Sequence, residues 1–100
     1  MWLLISSSSS NLILYLKLDD ADGVTAPVDN SDSNYTSSLV NLSSSAYEDG
    51  LINGAMRFGS GNSEYIHVNG FESTLDVLSA VSFSVWVKSD ITNTDKGVFF

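Results

Sequence analysis

VSFSVWVKSD, residues 81–90, alternates without a break. Val81, Phe83, Val85 and Val87 fall on one side, and Ser82, Ser84, Trp86 and Lys88 on the other. Successive side chains of a strand point to opposite faces, so this period of two predicts a strand with one apolar face. NLILYLKLDD, residues 11–20, repeats the pattern. Leu12, Leu14, Leu16 and Leu18 share one face; Ile13, Tyr15 and Lys17 share the other. The second face is also apolar near its start, which predicts burial on both sides there. Asp19, Asp20, Asp22 and Gly23 end the strand.

DGLINGAMRFGSGNSEYIHV, residues 49–68, holds two shorter runs. Residues 55–58 predict a strand with Met56 and Phe58 inward. Residues 65–68 predict another, with Ile66 and Val68 inward and Tyr65 and His67 on the opposite face. The small polar residues between them predict a hairpin joining the two. Residues 21–50 are weakly patterned and contain Pro27, the one proline of the chain. So long a span without structure is unusual in a compact domain, and a short strand is expected near 38–42. Asn34-Tyr35-Thr36 and Asn41-Leu42-Ser43 match the glycosylation sequon, which has meaning only in a protein secreted by a eukaryotic cell. Residues 71–80 lean toward helix, with a short turn at 75–78, and 98–100 predict the start of a further strand. The fold class is all-β.

The chain has 100 residues, 43% of them hydrophobic, and five Phe, four Tyr and two Trp supply core material. It is long enough for one domain. Twelve acidic residues against four basic ones give a net charge of -8. A phosphate backbone would be repelled, so nucleic acid is an unsuitable partner. Anionic membrane surfaces are disfavoured for the same reason. Neutral sugars, cations and basic protein surfaces fit the charge. With no cysteine, disulfide scaffolds, thiol catalysis and zinc-thiolate sites are excluded. The first ten residues, MWLLISSSSS, are too short in apolar length for a secretory leader. Residues 1–11 are expected as a tail or serine-rich linker, with Ser6 to Ser10 a flexible tether, and 12–100 as the domain.

YLKLDD at 15–20, GLINGAMRF at 50–58, YIHV at 65–68 and FSVWVKSD at 83–90, in this order and spacing, resemble successive blocks of the concanavalin A-like jelly roll. The closer likeness is to its laminin-G-like, or pentraxin-like, branch. The resemblance covers about 12–100. Members of that family are longer, so the match corresponds to the first half of a domain, completed by further residues or by a partner chain. The resemblance implies an antiparallel β-sandwich of two curved sheets, with Leu14, Phe58, Ile66 and Phe83 in one interior. It also implies binding of carbohydrate, glycan or protein, often beside calcium, in an extracellular, cell-surface or virion setting. This chain departs from the family after the first strand, where Asp19-Asp20-Ala21-Asp22-Gly23 replaces an Asp-Glu pair and a glycine-rich turn.

Calcium takes six to eight hard oxygens, so clustered carboxylates are its natural candidates. Asp19, Asp20 and Asp22 form one such group, with Asp29 or Asp32 able to join through the following loop. Asn62 and Glu64, in the loop before the strand at 65–68, form another. Each has a plainer reading as a solvated turn. Tyr65 and Trp86 are the candidate sugar-stacking residues, with Tyr15 and His67 also off the main apolar faces. Trp86 reads more readily as core support. No paired carboxylates at strand positions, nucleophile elbow or phosphate-binding glycine loop occurs, so the expected role is non-catalytic. Two functions are expected from different classes. One is a carbohydrate-binding module, with calcium as the candidate cofactor. The other is a structural, adhesion or decoration protein of a virus or phage particle, assembling as a homo-oligomer or larger array through its C-terminal edge.

Overall fold

The structure, a computed structural model, describes the backbone of residues 3–7 and all of residues 12–20, 26–59 and 61–89. Among the described residues, seven short strands run in chain order: β1 Leu3–Ser7, β2 Leu12–Leu16, β3 Ser37–Val40, β4 Tyr47–Asp49, β5 Gly54–Met56, β6 Tyr65–Val68 and β7 Val81–Val85. A 3-10 turn covers Ser44–Ala46, and a short helix, α1, covers Phe71–Leu75. All pairings are antiparallel. They build a three-stranded sheet in the order β2-β1-β7 and two two-stranded sheets, β3-β6 and β4-β5. The domain is therefore mostly β, as its alternating runs predict.

The alternation of β2 decides where the core lies. Leu14, Leu16 and Leu18 are almost wholly buried and pack with Tyr47 and Met56. Leu39 and Leu42 add cover, as do Ile66 and Val68 of β6 and Phe71 of α1. Ile13, on the other face, is buried too, matching the expected two-sided burial at the start of β2. The Phe71 ring meets Tyr35 edge-on at 5.6 Å, and the Tyr35 hydroxyl hydrogen-bonds Thr74, which fastens α1 to the loop before β3. Such edge-to-face pairs add to the area they bury.

The outer edge of β2 is closed by Asp29. The Tyr15 amide donates to Asp29 Oδ1 at 2.9 Å, and the Asn30 amide returns a bond to the Tyr15 carbonyl at 2.8 Å. Asp29 Oδ1 also accepts the Ser31 amide, and Oδ2 accepts the Tyr35 amide at 2.8 Å. The Ser31 hydroxyl stands 2.9 Å from both Asp29 Oδ2 and the Ile13 carbonyl. A carboxylate thus supplies acceptors that a neighbouring strand would otherwise provide.

Four expectations are corrected. First, 55–58 and 65–68 do not form a hairpin. β5 pairs with β4 across the shorter loop 50–53, and β6 pairs with β3. The shorter loop costs less chain entropy to close. The strand expected near 38–42 is β3, shifted slightly earlier. Second, Phe58 is 37% exposed, because β5 ends at Met56 and the alternation does not reach it. Third, Phe83 is 57% exposed. Both Leu14 and Phe83 pair with Ile5, so they stand on one face of the sheet as expected. The covering layer lies over β2 and leaves β7 open, so Leu14 and Ile66 share the interior while Phe58 and Phe83 do not. Fourth, Ser6 and Ser7 are strand residues of β1 rather than tether, because β1 is paired on both edges and ladder bonds outweigh serine's weak strand preference. Ser8 to Ser10 and the strand start expected at 98–100 lie outside the described residues. The helical lean of 71–80 is realised as α1, followed by a turn in which the Leu78 amide bonds the Leu75 carbonyl.

Candidate functional site

The register of the large sheet sets one surface apart. Tyr15, Leu4 and Ser84 stand abreast, so Tyr15 and Ser84 share the face opposite Leu14 and Leu16. Lys17 follows two residues after Tyr15, and Trp86 two after Ser84, on that same face. These residues meet in a groove of about 480 Å³ lined by Tyr15, Lys17, Asp19, Leu51, Ile52, Asn53 and Trp86. Trp86 is 64% exposed, which corrects the reading of it as core. Trp86 stands on the sheet face opposite the one that carries the core, so the layer packed over Leu14 and Leu16 does not reach it.

The remaining wall of the groove comes from the β4-β5 hairpin. The Gly50 amide donates to the Asn53 carbonyl at 2.8 Å, and Asn53 takes the left-handed conformation, φ 59°, that Asn tolerates well in turns. Asn53 Nδ2 donates to Asp19 Oδ2 at 3.4 Å. A Cβ at Gly54 would lie 2.9 Å from the Asp19 Cα, so the hairpin docks backbone to backbone on the end of β2. Leu18 at this end also has positive φ, 58°, and is buried. The turn there keeps the Leu18 side chain in the core and Asp19 in the groove. The Lys17 ammonium sits 5.9 Å from the Tyr15 ring centre, within cation-π reach.

The groove joins aromatic and aliphatic surface to a carboxylate, an amide and an ammonium group. Flat apolar faces can stack on the rings, while hydroxyls can bond the polar groups. Trp86 and Asp19 are the sequence-derived site candidates that meet here, joined by Tyr15, one of the other aromatics off the main apolar faces. Lys17, Leu51, Ile52 and Asn53 were not among them. The available signal was Leu51-Ile52 itself, two bulky apolar residues inside a turn, where polar residues are the rule.

The other candidates fall elsewhere. Asp20 Oδ2 accepts the Val28 amide at 3.4 Å. Its carboxylate also lies near the Tyr47 hydroxyl, outside hydrogen-bonding geometry; that hydroxyl is buried with no hydrogen-bond partner among the described residues. Burial, with the negative charge of Asp20, pushes the Tyr47 pKa up to about 12. Asp22 lies outside the described residues. Asp29 accepts the Tyr15 and Ser31 amides on Oδ1 and the Tyr35 amide on Oδ2, and the single Ser31 hydroxyl proton is shared between Oδ2 and the Ile13 carbonyl, so this carboxylate is engaged in holding the loop. Burial alone would raise its pKa, but the bonds from Tyr15, Ser31 and Tyr35 prevail and hold it below the usual carboxylate value.

Glu64 closes its own loop, accepting the Gly59 amide on Oε2 at 2.5 Å and the Asn62 amide group on Oε1 at 3.4 Å. It lines a separate polar cleft of about 360 Å³ with Glu48, Arg57 and Ser43. The Asn41 side-chain amide donates to the Asn62 carbonyl at 2.8 Å and braces that loop. Asn62 and Glu64 therefore do not join Asp19 in one site, and among the described residues no three His, Cys, Asp or Glu gather as a metal-binding group. Tyr65 is 49% exposed on β6 and does not line the Trp86 groove, so the two aromatic candidates are not brought together.

No family model matches the chain, and neither a characterised protein nor a solved structure does. Among the described residues no helix is long and apolar enough to cross a membrane.

Proposed function

We propose that this chain is a non-catalytic carbohydrate-binding module whose site is the Tyr15-Trp86 groove. The observation carrying this reading is that two aromatic side chains share one open groove with Lys17, Asp19 and Asn53. Stacking and hydroxyl recognition are thereby available side by side. The sheets, on this reading, belong to a laminin-G-like jelly-roll sandwich of the concanavalin A-like kind, working outside the cell or on a virion. Calcium enters the proposal only as an aid at Asp19, the acid that lines the groove among the described residues.

A glycan array probed with the full chain, followed by calorimetric titration of the strongest binder, tests the reading. Trp86→Ala is expected to weaken binding about tenfold or more, since aromatic anchors dominate such contacts. Unchanged affinity in that variant would remove the groove from the proposal. Repeating the titration with a chelator tests the cation separately: retained affinity would leave sugar binding standing without calcium.

A second reading is supported by β7. Among the described residues it is an edge of its sheet, and Val81 and Phe83 are 45% and 57% exposed. Apolar side chains open to solvent on one strand suit contact with another protein surface. This favours the alternative of an adhesion or decoration protein that acts through protein contacts.

A further inference from the structure

Leu51 and Ile52 are 98% and 77% exposed and stand outside the core cluster of the described residues. Yet their position is closely fixed. The Gly50-Asn53 backbone bond closes the turn, Asn53 reaches Asp19, and the close approach of Gly54 seats the hairpin on β2. An apolar tip held rigidly beside two aromatic residues is organised before any ligand arrives, which lowers the entropy cost of contact.

We infer that the Leu51-Ile52 tip is the specificity element of the groove, selecting an uncharged pyranose chain and turning away sulfated or carboxylated ones. The inference rests on the carbohydrate reading above and deepens it. A pyranose ring presents C-H surface on its faces and hydroxyls at its rim. Trp86 and Tyr15 from the sheet, and Leu51 and Ile52 from the hairpin, offer apolar surface from two independent elements. Asp19 offers carboxylate oxygens, which accept from a hydroxyl but find no proton on a sulfate or carboxylate. Among the described residues Lys17 is the one cation lining the groove, and Asp19 carries the opposite charge there. An anionic chain would also approach a molecule of net charge -8. Within a Debye length of roughly 8 Å at physiological salt, that repulsion is not screened.

The test is an array of neutral and anionic oligosaccharides probed with the full chain, then titration of a neutral hexaose and of a heparin-derived hexasaccharide. The neutral sugar is expected to bind at least tenfold more tightly, with affinity insensitive to sodium chloride. The double variant Leu51→Ser, Ile52→Ser is expected to weaken neutral binding roughly tenfold, with its thermal midpoint unchanged because both residues are solvent-exposed. Equal or tighter binding of the sulfated sugar, or affinity that falls with salt, would overturn the selectivity while leaving carbohydrate binding intact. Neutral binding untouched by the double variant would overturn the role of the tip. Absence of binding to every sugar would overturn the carbohydrate reading, and this inference with it.

Discussion

Two buried polar side chains with opposite fates set the chemistry at the residue scale. Both oxygens of Asp29 are held by hydrogen bonds; the Tyr47 hydroxyl has no partner among the described residues. Asp29→Ala would strand the amides of Tyr15, Ser31 and Tyr35, and is expected to cost about 2–4 kcal/mol in urea denaturation. Because the folded pKa of Asp29 lies below its usual 3.8, its contribution is complete above that value and is lost as pH falls through the lower folded value. The variant should therefore differ most from the parent at neutral pH and converge with it in acid. Tyr47 has the reverse sign. Its folded pKa of about 12 exceeds the ordinary 10.0, so its contribution holds below pH 10 and fades as pH rises toward 12. Tyr47→Phe removes an unbonded buried hydroxyl and is expected to stabilise by about 0.5–1 kcal/mol near neutrality. It should also flatten the loss of stability between pH 10 and 12; an identical alkaline profile in both proteins would contradict the assignment. Neither role was legible in the sequence. Asp29 is one of many acids in an irregular stretch, and only the fold brings it alongside Tyr15, fourteen residues away.

Legibility improves with regular elements. The leucine face of β2 was readable because period two is a property of the backbone and each leucine lands in the same layer. The existence of β6 and β7 followed from the same logic. Pairing partners did not, since alternation fixes a face and leaves the neighbour open. The β4-β5 hairpin shows this. Tyr47–Asp49 has little strand signal of its own, and its partnership with Gly54–Met56 depends on two glycines that permit close approach. A Cβ on Gly50 would lie 2.6 Å from the Gly54 carbonyl oxygen, a backbone atom that cannot yield without moving the ladder. Gly50→Ala is accordingly expected to lower stability by about 1–3 kcal/mol. Gly54→Ala would press on Asp19 and displace the whole hairpin from β2. Its expected signature is a loss of sugar affinity together with amide chemical-shift changes at both Asp19 and Asn53. Shifts confined to the hairpin would show that the two elements are not coupled. The groove was half readable for the same reason: Asp19 and Trp86 stood out by residue type, whereas Leu51 and Ile52 reach it only through the docking of the hairpin.

Across the whole molecule, the covered and uncovered halves of the large sheet are in tension with the net charge. Leu14 and Leu16 lie under β6 and α1, while Phe83, on the same sheet face, meets solvent. Exposed apolar strand surface favours association. A charge of -8 opposes the approach of a second copy. Salt decides between the two terms, because it screens repulsion over a Debye length that shrinks to about 3 Å at 1 M and leaves apolar attraction intact. Sedimentation velocity should thus show a monomer at low ionic strength and reversible association as sodium chloride is raised. Phe83→Ser should suppress that association while changing unfolding free energy by no more than about 0.5 kcal/mol, as expected of an exposed position. Association that weakens with salt would assign it to charge pairing instead, and a monomer at every salt concentration would show that the β7 face is not self-complementary. In that outcome a basic partner surface with an apolar centre, attracted rather than repelled by the acidic chain, becomes the occupant that the exposed face of β7 would suit.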